Sequence, residues 1–540
     1  MKSSITLCSF LFFALFAQLL FSQKTRIVKD LTAGTQGSPL YDETILGTWD
    51  NKLFFLYPDS VNFDLQPWVT DGTPENTFRL HENAIISIYL DYLFTNDGLY
   101  YAFPDNNSGK SEIWFTDGTE ANTKMLYQYD YVTPSLLTYF AGDLYFAAVN
   151  DNFGVDLRKL NLSSNMVEVV HSFSSFGEIR DLAVLNDRLI IIGGAPDGIY
   201  LFKSDGTPAG TQSYHLLNSG SDFNSTEDVR MTAVGDKLFF FYQPDGEDYK
   251  LYVTDGTTEG TEALASFDKM PFPNFQQKQA IRAWNGKLIF NAVTYNSSND
   301  NALYVSDGTA SGTTKITVGN TEYPDPVYFT EYSGILYFMA ETYSGIFNVY
   351  KTNGTQAGTS LSIDASVLGG GLSFGGSYMT VFRDSLFFYG YRSNVGEELW
   401  KSDGTTAGTS VIDIVPGTGS SVPLNLFATD NYLFFTAEDN LHGRELWIYD
   451  PDFSSNTRSI PASAFHIFPN PASNMLYLEH ELSNAIACIK TLDGKTFATF
   501  PLLSNMETIP LHDLKAGIYL LAIYSSQGNG VQKIVVMDKN

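Results

Sequence analysis

The chain has 540 residues, room for about three to five ordinary domains or one large repetitive body. Lys plus Arg is 32 against 60 for Asp plus Glu, a net charge of −28, which disfavours nucleic acid and attachment to anionic lipid through basic patches. With 44% hydrophobic and 15% aromatic residues wholesale disorder is excluded, and with 2 cysteines disulfides are not the scaffold.

Met1-Lys2-Ser3-Ser4 precedes an apolar stretch from Ile5 to Phe21, after which Ser22 stands before Gln23. One basic residue, a short apolar core and a small residue predict a secretory signal peptide over residues 1–22, cleaved between Ser22 and Gln23. As a membrane anchor the stretch is at the short end and carries Cys8, Ser9 and Gln18 inside it. Cys8 also lies too early for a lipidated cysteine, with Leu7 where a small residue is wanted. Without Cys8 only Cys488 is left, so no intrachain disulfide is expected. No other segment is apolar over about 20 residues, and no transmembrane segment is expected in the mature protein.

From there on, one unit repeats. A turn signature stands at Thr70-Asp71-Gly72-Thr73, Thr116-Asp117-Gly118-Thr119, Ser204-Asp205-Gly206-Thr207, Thr254-Asp255-Gly256-Thr257, Ser306-Asp307-Gly308-Thr309, Thr352-Asn353-Gly354-Thr355 and Ser402-Asp403-Gly404-Thr405. Five of the seven continue x-x-Gly-Thr, whereas the first two have Asn76-Thr77 and Asn122-Thr123. Successive copies are 46, 88, 50, 52, 46 and 50 residues apart, so the 88 spans two units, with a worn copy at Leu157-Arg158-Lys159-Leu160-Asn161. A ninth, equally worn, is Glu445-Leu446-Trp447-Ile448-Tyr449-Asp450.

Ahead of each turn runs a short aromatic-rich stretch, such as Lys52-Leu53-Phe54-Phe55-Leu56, Lys237-Leu238-Phe239-Phe240-Phe241 or Ser385-Leu386-Phe387-Phe388. Runs this short and turn-bounded are strands, and no segment shows a convincing helical period. The fifth unit reads as strands Met231–Val234, Lys237–Tyr242, Tyr249–Thr254 and Thr261–Ser266. A four-stranded antiparallel unit of about 40–50 residues is a β-propeller blade, with a solenoid of β-hairpins as the alternative. The ninth copy lacks an outgoing strand, because Asp450 runs into a linker, and Arg26-Ile27-Val28-Lys29-Asp30-Leu31 supplies one from the other end. Closure of that kind leaves no open edge. The expected fold is therefore all-β. A propeller of nine blades (eight, or a split into two bodies, are the other readings) covers residues 23–450 and is closed by its N-terminal strand. The pattern resembles the bacterial ELWxxDGTxxGT repeat, clearest as Glu398-Leu399-Trp400-Lys401-Ser402-Asp403-Gly404-Thr405-Thr406-Ala407-Gly408-Thr409. That resemblance implies a secreted, propeller-forming protein and attaches no chemistry.

A polar linker, residues 451–464, leads to a C-terminal segment of different character, residues 465–540. Short alternating stretches separated by turn dipeptides predict a small β-sandwich there. Phe468-Pro469-Asn470-Pro471, then Leu492-Asp493-Gly494-Lys495, then Leu514-Lys515-Ala516-Gly517-Ile518-Tyr519 and a terminal strand with Lys533 follow in order. This order resembles the type A C-terminal sorting domain of type IX secretion, a family confined to Bacteroidota. The resemblance implies handling by the type IX secretion machinery, passage through the periplasm, and a mature protein that is released or held on the cell surface.

Seven turns built around Asp71, Asp117, Asp205, Asp255, Asp307, Asn353 and Asp403 invite a metal or catalytic reading. The structural reading is stronger, because Asp accepts backbone amides two residues on and Gly supplies φ > 0. A fold also needs its turn in every copy, whereas an active site is needed once. Asn353 makes the same turn but is a poor carboxylate ligand. The turns resemble the Asp boxes of other propellers. Three residues before the turn Asp or its equivalent stands an aromatic in eight copies: Trp68, Trp114, Phe202, Tyr252, Tyr304, Tyr350, Trp400 and Trp447. Packing between adjacent blades is expected of these rings, ahead of a sugar-stacking role.

The chain has seven His and no His-x-x-x-His, nucleophile elbow or phosphate loop, so no catalytic, cofactor-binding or metal-ligating residue is assigned. Asp105-Asn106-Asn107-Ser108-Gly109-Lys110-Ser111-Glu112 is too short for a calcium loop, though calcium is the one cofactor left open. Gly369-Gly370-Gly371 and Gly375-Gly376 mark flexible backbone with no helix start behind them. The function expected is a non-enzymatic binding or adhesion module for extracellular glycan or protein. The alternatives are a secreted polysaccharide- or peptide-degrading hydrolase or lyase, and a self-associating surface component.

Overall fold

The computed structural model describes residues 24–31, 40, 44–58, 65–81, 90–105, 110–130, 134–173, 178–219, 229–244, 247–268, 280–292, 302–317, 326–341, 347–368, 379–439, 442–452, 464–482, 485–491, 496–502, 504–512, 514–525 and 528–537. It divides into two compact units, Ile27–Ile448 and a second one containing Tyr449–Asn540.

Among the described residues the first unit is all strand and turn apart from a single helical turn at Glu120–Asn122. Its strands form nine four-stranded antiparallel sheets in chain order. Sheets one to eight begin at Ile45, Asp91, Ser135, Ile179, Thr232, Ile281, Val327 and Thr380. The ninth takes three strands, Leu424–Ala428, Leu433–Asp439 and Gly443–Tyr449, and its fourth is Thr25–Ile27. The Val28 amide donates to the Leu446 carbonyl at 2.8 Å, so the N-terminal segment completes the last sheet as expected. In the fifth sheet the first and fourth strands run Thr232–Val234 and Glu262–Phe267, one residue off the expected limits.

The amino-acid pattern of each strand follows from its place in the sheet. The second strand is covered on both faces by neighbouring sheets, so Leu238, Phe239, Phe240, Phe241 and Tyr242 are all buried and the stretch reads as continuously apolar. The outermost fourth strand alternates, with Glu262 and Ala263 exposed and Leu264 and Phe267 buried. First strands of successive sheets lie against one another, which places them nearest the axis of the ring.

The core consists of apolar layers between neighbouring sheets. Between sheets five and six, Phe241, Phe267, Phe290 and Tyr304 pack with ring centroids 5.1 to 5.8 Å apart, mostly edge to face. Comparable layers join each sheet to the next from one to eight, and nine to one. Seven of the recurrent aromatics sit in these layers, and Trp447 is buried. Phe202 meets Phe173 of sheet three at 5.1 Å, and Tyr304 meets Phe267 of sheet five at the same distance.

The ring closes through the turn glycines. A Cβ on Gly206 of sheet four would lie 2.2 Å from Tyr145 Oη of sheet three, and one on Gly404 of sheet eight 2.4 Å from Tyr337 Oη of sheet seven. Gly72 of sheet one follows the same rule with Tyr432 of sheet nine, at 2.6 Å. These three glycines hold φ between +87° and +93°, so each is fixed both by backbone conformation and by the neighbouring sheet.

The C-terminal unit is a pair of sheets. Phe465–Phe468, Met475–His480 and Met506–Pro510 form one, and Ala485–Lys490, Thr496–Leu502, Gly517–Ser525 and Gly528–Val536 the other. Leu476, Leu478, Ile489, Ile509, Leu521 and Ile523 fill the space between them.

Candidate functional site

The seven turns share one internal set of hydrogen bonds. Asp205 Oδ1 accepts from the Thr207 amide at 3.0 Å and from its hydroxyl at 2.7 Å, and the same pair closes every copy, including Asn353 with Thr355. The buried Ser204 hydroxyl accepts the Gly206 amide and donates to Thr211, whose own hydroxyl donates to the Thr207 carbonyl. The Thr207 hydroxyl beside Asp205 holds its carboxyl below the usual carboxylate range, and Thr405 does the same for Asp403.

The departure of the first two copies from Gly-Thr has a local cause. A Cβ on Gly210 would stand 2.0 Å from Asp205 Oδ1. Where Asn76 and Asn122 occupy that place, the amide nitrogen instead donates to Oδ2 of Asp71 at 2.7 Å and of Asp117 at 2.6 Å. The turn also reaches sideways, because Lys52 of sheet one donates to the Asp117 carbonyl of sheet two at 3.1 Å. At sheet four the equivalent cation, Arg188, binds its neighbour Asp187. A cleft of about 430 Å³ opens there between Asp205 and Asp255.

At the other end of the third strand lies a set of polar residues that sequence reasoning missed. Glu398, fully buried, accepts the Ile414 amide at 3.0 Å, the Val415 amide at 3.3 Å and the Ser421 hydroxyl at 2.6 Å. Burial pushes its carboxyl up to about 7. One sheet earlier Asn348 accepts the Ala365 amide at 2.8 Å, and one sheet later Glu445 accepts the Leu31 amide at 3.3 Å. These side chains pin the connection from each fourth strand to the next first strand. The Glu before Leu-Trp in the repeat was the available signal.

Charged groups converge on the axial strands of sheets two, four and five. Asp91 accepts the Leu137 amide at 2.9 Å, and Asp181 accepts the Met231 amide at 2.5 Å. Arg230 Nη1 lies 3.7 Å from Asp181, and its charge pulls back the Asp91 carboxyl, which burial pushes up. Asp91 and Asp181 share one register, opposite Ala102 and Ile192, a coincidence invisible in a sequence where they are 90 residues apart. On sheet nine Asn425 is 2% exposed, holds φ +58°, and neither atom of its amide has a hydrogen-bond partner. Near the N-terminal strand, His442 bonds Asp439 at 2.9 Å and its pKa is raised by that bond. Among the described residues no three His, Cys, Asp or Glu side chains group to hold a metal ion. Residues 1–22 and Gln23, 106–109, 369–371 and 375–376 lie outside the described residues. Glu112 accepts from Trp114 and Gln128.

In the C-terminal unit, Asn470 acts like a piece of strand. Its Nδ2 donates to the Lys533 carbonyl at 2.7 Å and its Oδ1 accepts the Val535 amide at 2.9 Å. Pro469 and Pro471 each follow a cis peptide bond, and Phe468 stacks on Tyr477 at 5.7 Å. Gly517 opens the Gly517–Ser525 strand, and the Tyr519 hydroxyl donates to the Lys515 carbonyl at 3.0 Å. Lys533 is exposed on the last strand. Gly494 and Lys495 lie outside the described residues.

Comparison with solved structures finds low identity. The β-propeller domain of the Trilobed protease from Pyrococcus furiosus is 14% identical, covering 59% of this chain and 97% of that one, with a TM-score of 0.31. PorZ, a surface component of the type-IX secretion system of Porphyromonas gingivalis, is 12% identical over 95% of this chain and 100% of its own, with a TM-score of 0.24. A puromycin-hydrolyzing peptidase of Mycobacterium tuberculosis is 10% identical, covering 61% of this chain and 56% of its own, with a TM-score of 0.36. These likenesses are of fold and carry nothing about what this chain binds. No curated protein matches it. The C-terminal segment does match a family model, the secretion system C-terminal sorting domain, over residues 466–537. Residues 466–537 are thus a type IX sorting domain, and the chain that carries them is exported to the cell surface or the extracellular space.

Proposed function

We propose that the chain is a single nine-bladed propeller that works outside the cell as a non-enzymatic binding or adhesion module for glycan or protein. A signal peptide over residues 1–22 and export by the type IX machinery of a member of Bacteroidota complete the reading, and no cofactor is needed for it. The observation that carries it is where the recurring polar groups are spent. The turn carboxylates serve their own turns, Glu398, Asn348 and Glu445 serve the next connection, and Asp91 and Asp181 hold backbone amides of the following sheet. What differs from copy to copy is left for recognition. A degrading enzyme would draw on Asp91 and Asp181, two axial carboxylates that both feel the charge of Arg230. Both of those carboxylates are already engaged as acceptors.

The full mature chain, displayed on arrays of extracellular glycans and proteins, tests this. Retention of one ligand class without its turnover is expected. Turnover of any polymer that Asp181→Asn abolishes, without retained binding, would sink the proposal in favour of the enzyme.

A further inference from the structure

The axial strands of sheets two, three and four border a cavity of about 680 Å³, inside the range of ordinary ligand pockets. Its wall combines three kinds of surface. Leu93 and Leu137 give an apolar floor, and Val184 is 36% exposed beside it. Tyr139 is 38% exposed, where the tyrosines of the inter-sheet layers are buried or half-buried. The rim carries Asn96 and Asp97, at the turn joining the first two strands of sheet two.

The Tyr139 hydroxyl and the Asn96 amide have no hydrogen-bond partner among the described residues, unlike the polar groups of the seven repeat turns. Tyr139 also belongs to none of the apolar layers between sheets, so packing does not explain it. No lining residue is basic, and the chain carries a net charge of −28. A phosphate, sulfate or uronate group would therefore meet repulsion with no cation in the lining to offset it. What suits an exposed aromatic face beside an amide and a carboxylate is a ring with apolar C–H on one side and hydroxyls around its edge.

We propose that this cavity binds a neutral oligosaccharide, with Tyr139 as the stacking platform and Asn96 and Asp97 as partners for its hydroxyls. The proposal rests on the binding-module reading above and names the ligand class and the place.

The test uses the full mature chain and neutral soluble polysaccharides (a β-glucan, a mannan, a xylan and an α-glucan), with polygalacturonate and a basic peptide alongside. Affinity electrophoresis ranks them, and calorimetry with oligomers of the retained one gives affinities. At least one neutral polymer is expected to bind, with Tyr139→Ala weakening it by roughly tenfold or more and Tyr139→Phe keeping most of the affinity. Asn96→Ala is expected to weaken it less, and both variants should melt with the parent because the two side chains are exposed. Neutral-glycan binding unchanged in Tyr139→Ala and Asn96→Ala would overturn the site while leaving the module reading intact. Binding of polygalacturonate or the peptide alone would overturn the ligand class. No retention on any array would remove both readings together.

Discussion

The two ends of each sheet follow different rules. At the turn end, seven copies repeat the same hydrogen bonds around Asp or Asn. At the other end, the residue two before the recurrent aromatic, or its counterpart in sheet three, is Gln66, Glu112, Asp156, Tyr200, Lys250, Ala302, Asn348, Glu398 or Glu445. The turn end also interlocks with the preceding sheet, so its geometry is constrained twice, by backbone and by neighbour. The opposite end answers to connections of differing length, and each side chain there solves a local problem. A group the fold needs in every copy converges on one form, and variation marks where that demand is absent.

That contrast can be broken most forcefully at the seam. Gly72→Val at φ +93° must also displace Tyr432, and a loss of about 3 kcal/mol or more is expected from denaturant midpoints. Gly142→Val, at φ +89° with nothing within 4 Å, should lose only the conformational share, about 1–2 kcal/mol. Equal losses would refute the interlock.

Glu398 sharpens the other end. Its folded carboxyl, at about 7, lies above the unfolded value of 4.5, so the folded state takes up a proton. The stability this supplies is full below about 4.5 and is lost as pH rises through about 7. Parent and Glu398→Gln stabilities should therefore diverge by about 2–3 kcal/mol between pH 4 and pH 8, as thermal unfolding at three pH values would read. Thr70→Val, which removes one acceptor of the Gly72 amide and the hydroxyl that bonds Thr77, should cost about 1–2 kcal/mol by the same measurement. Asp205→Asn, which copies what Asn353 already does, should leave the melting temperature unmoved.

Much of the ring was legible in the chain because its signals are local and repeated. Asp-Gly-Thr specifies a turn wherever it stands, and Lys237–Tyr242 announces a strand buried on both faces. The worn copy at Leu157–Asn161 was recoverable because the spacing of its neighbours required it, and the ordered motifs from Phe468 to Lys533 carried the sorting domain. The sites resisted because they exist only across sheets. Asp91 and Asp181 stand on separate axial strands with Arg230 just ahead of a third, and Tyr139 looks like any strand tyrosine until its neighbours leave it uncovered. Glu398 was in plain view within the repeat, but its role depends on the folded-back segment Ile414–Ser421.

The N-terminal strand has one consequence for biogenesis. Leu31 reaches Glu445 across 414 residues, so a nascent chain has no partner for this strand until Gly443–Tyr449 has been made. Joining ends that far apart rather than over one sheet adds only about 2 kcal/mol of loop entropy. The penalty is one of time. Until Gly443–Tyr449 emerges, unsatisfied backbone stands open at both termini of a growing arc, and a stop codon anywhere before it would yield an aggregation-prone fragment rather than a smaller working protein.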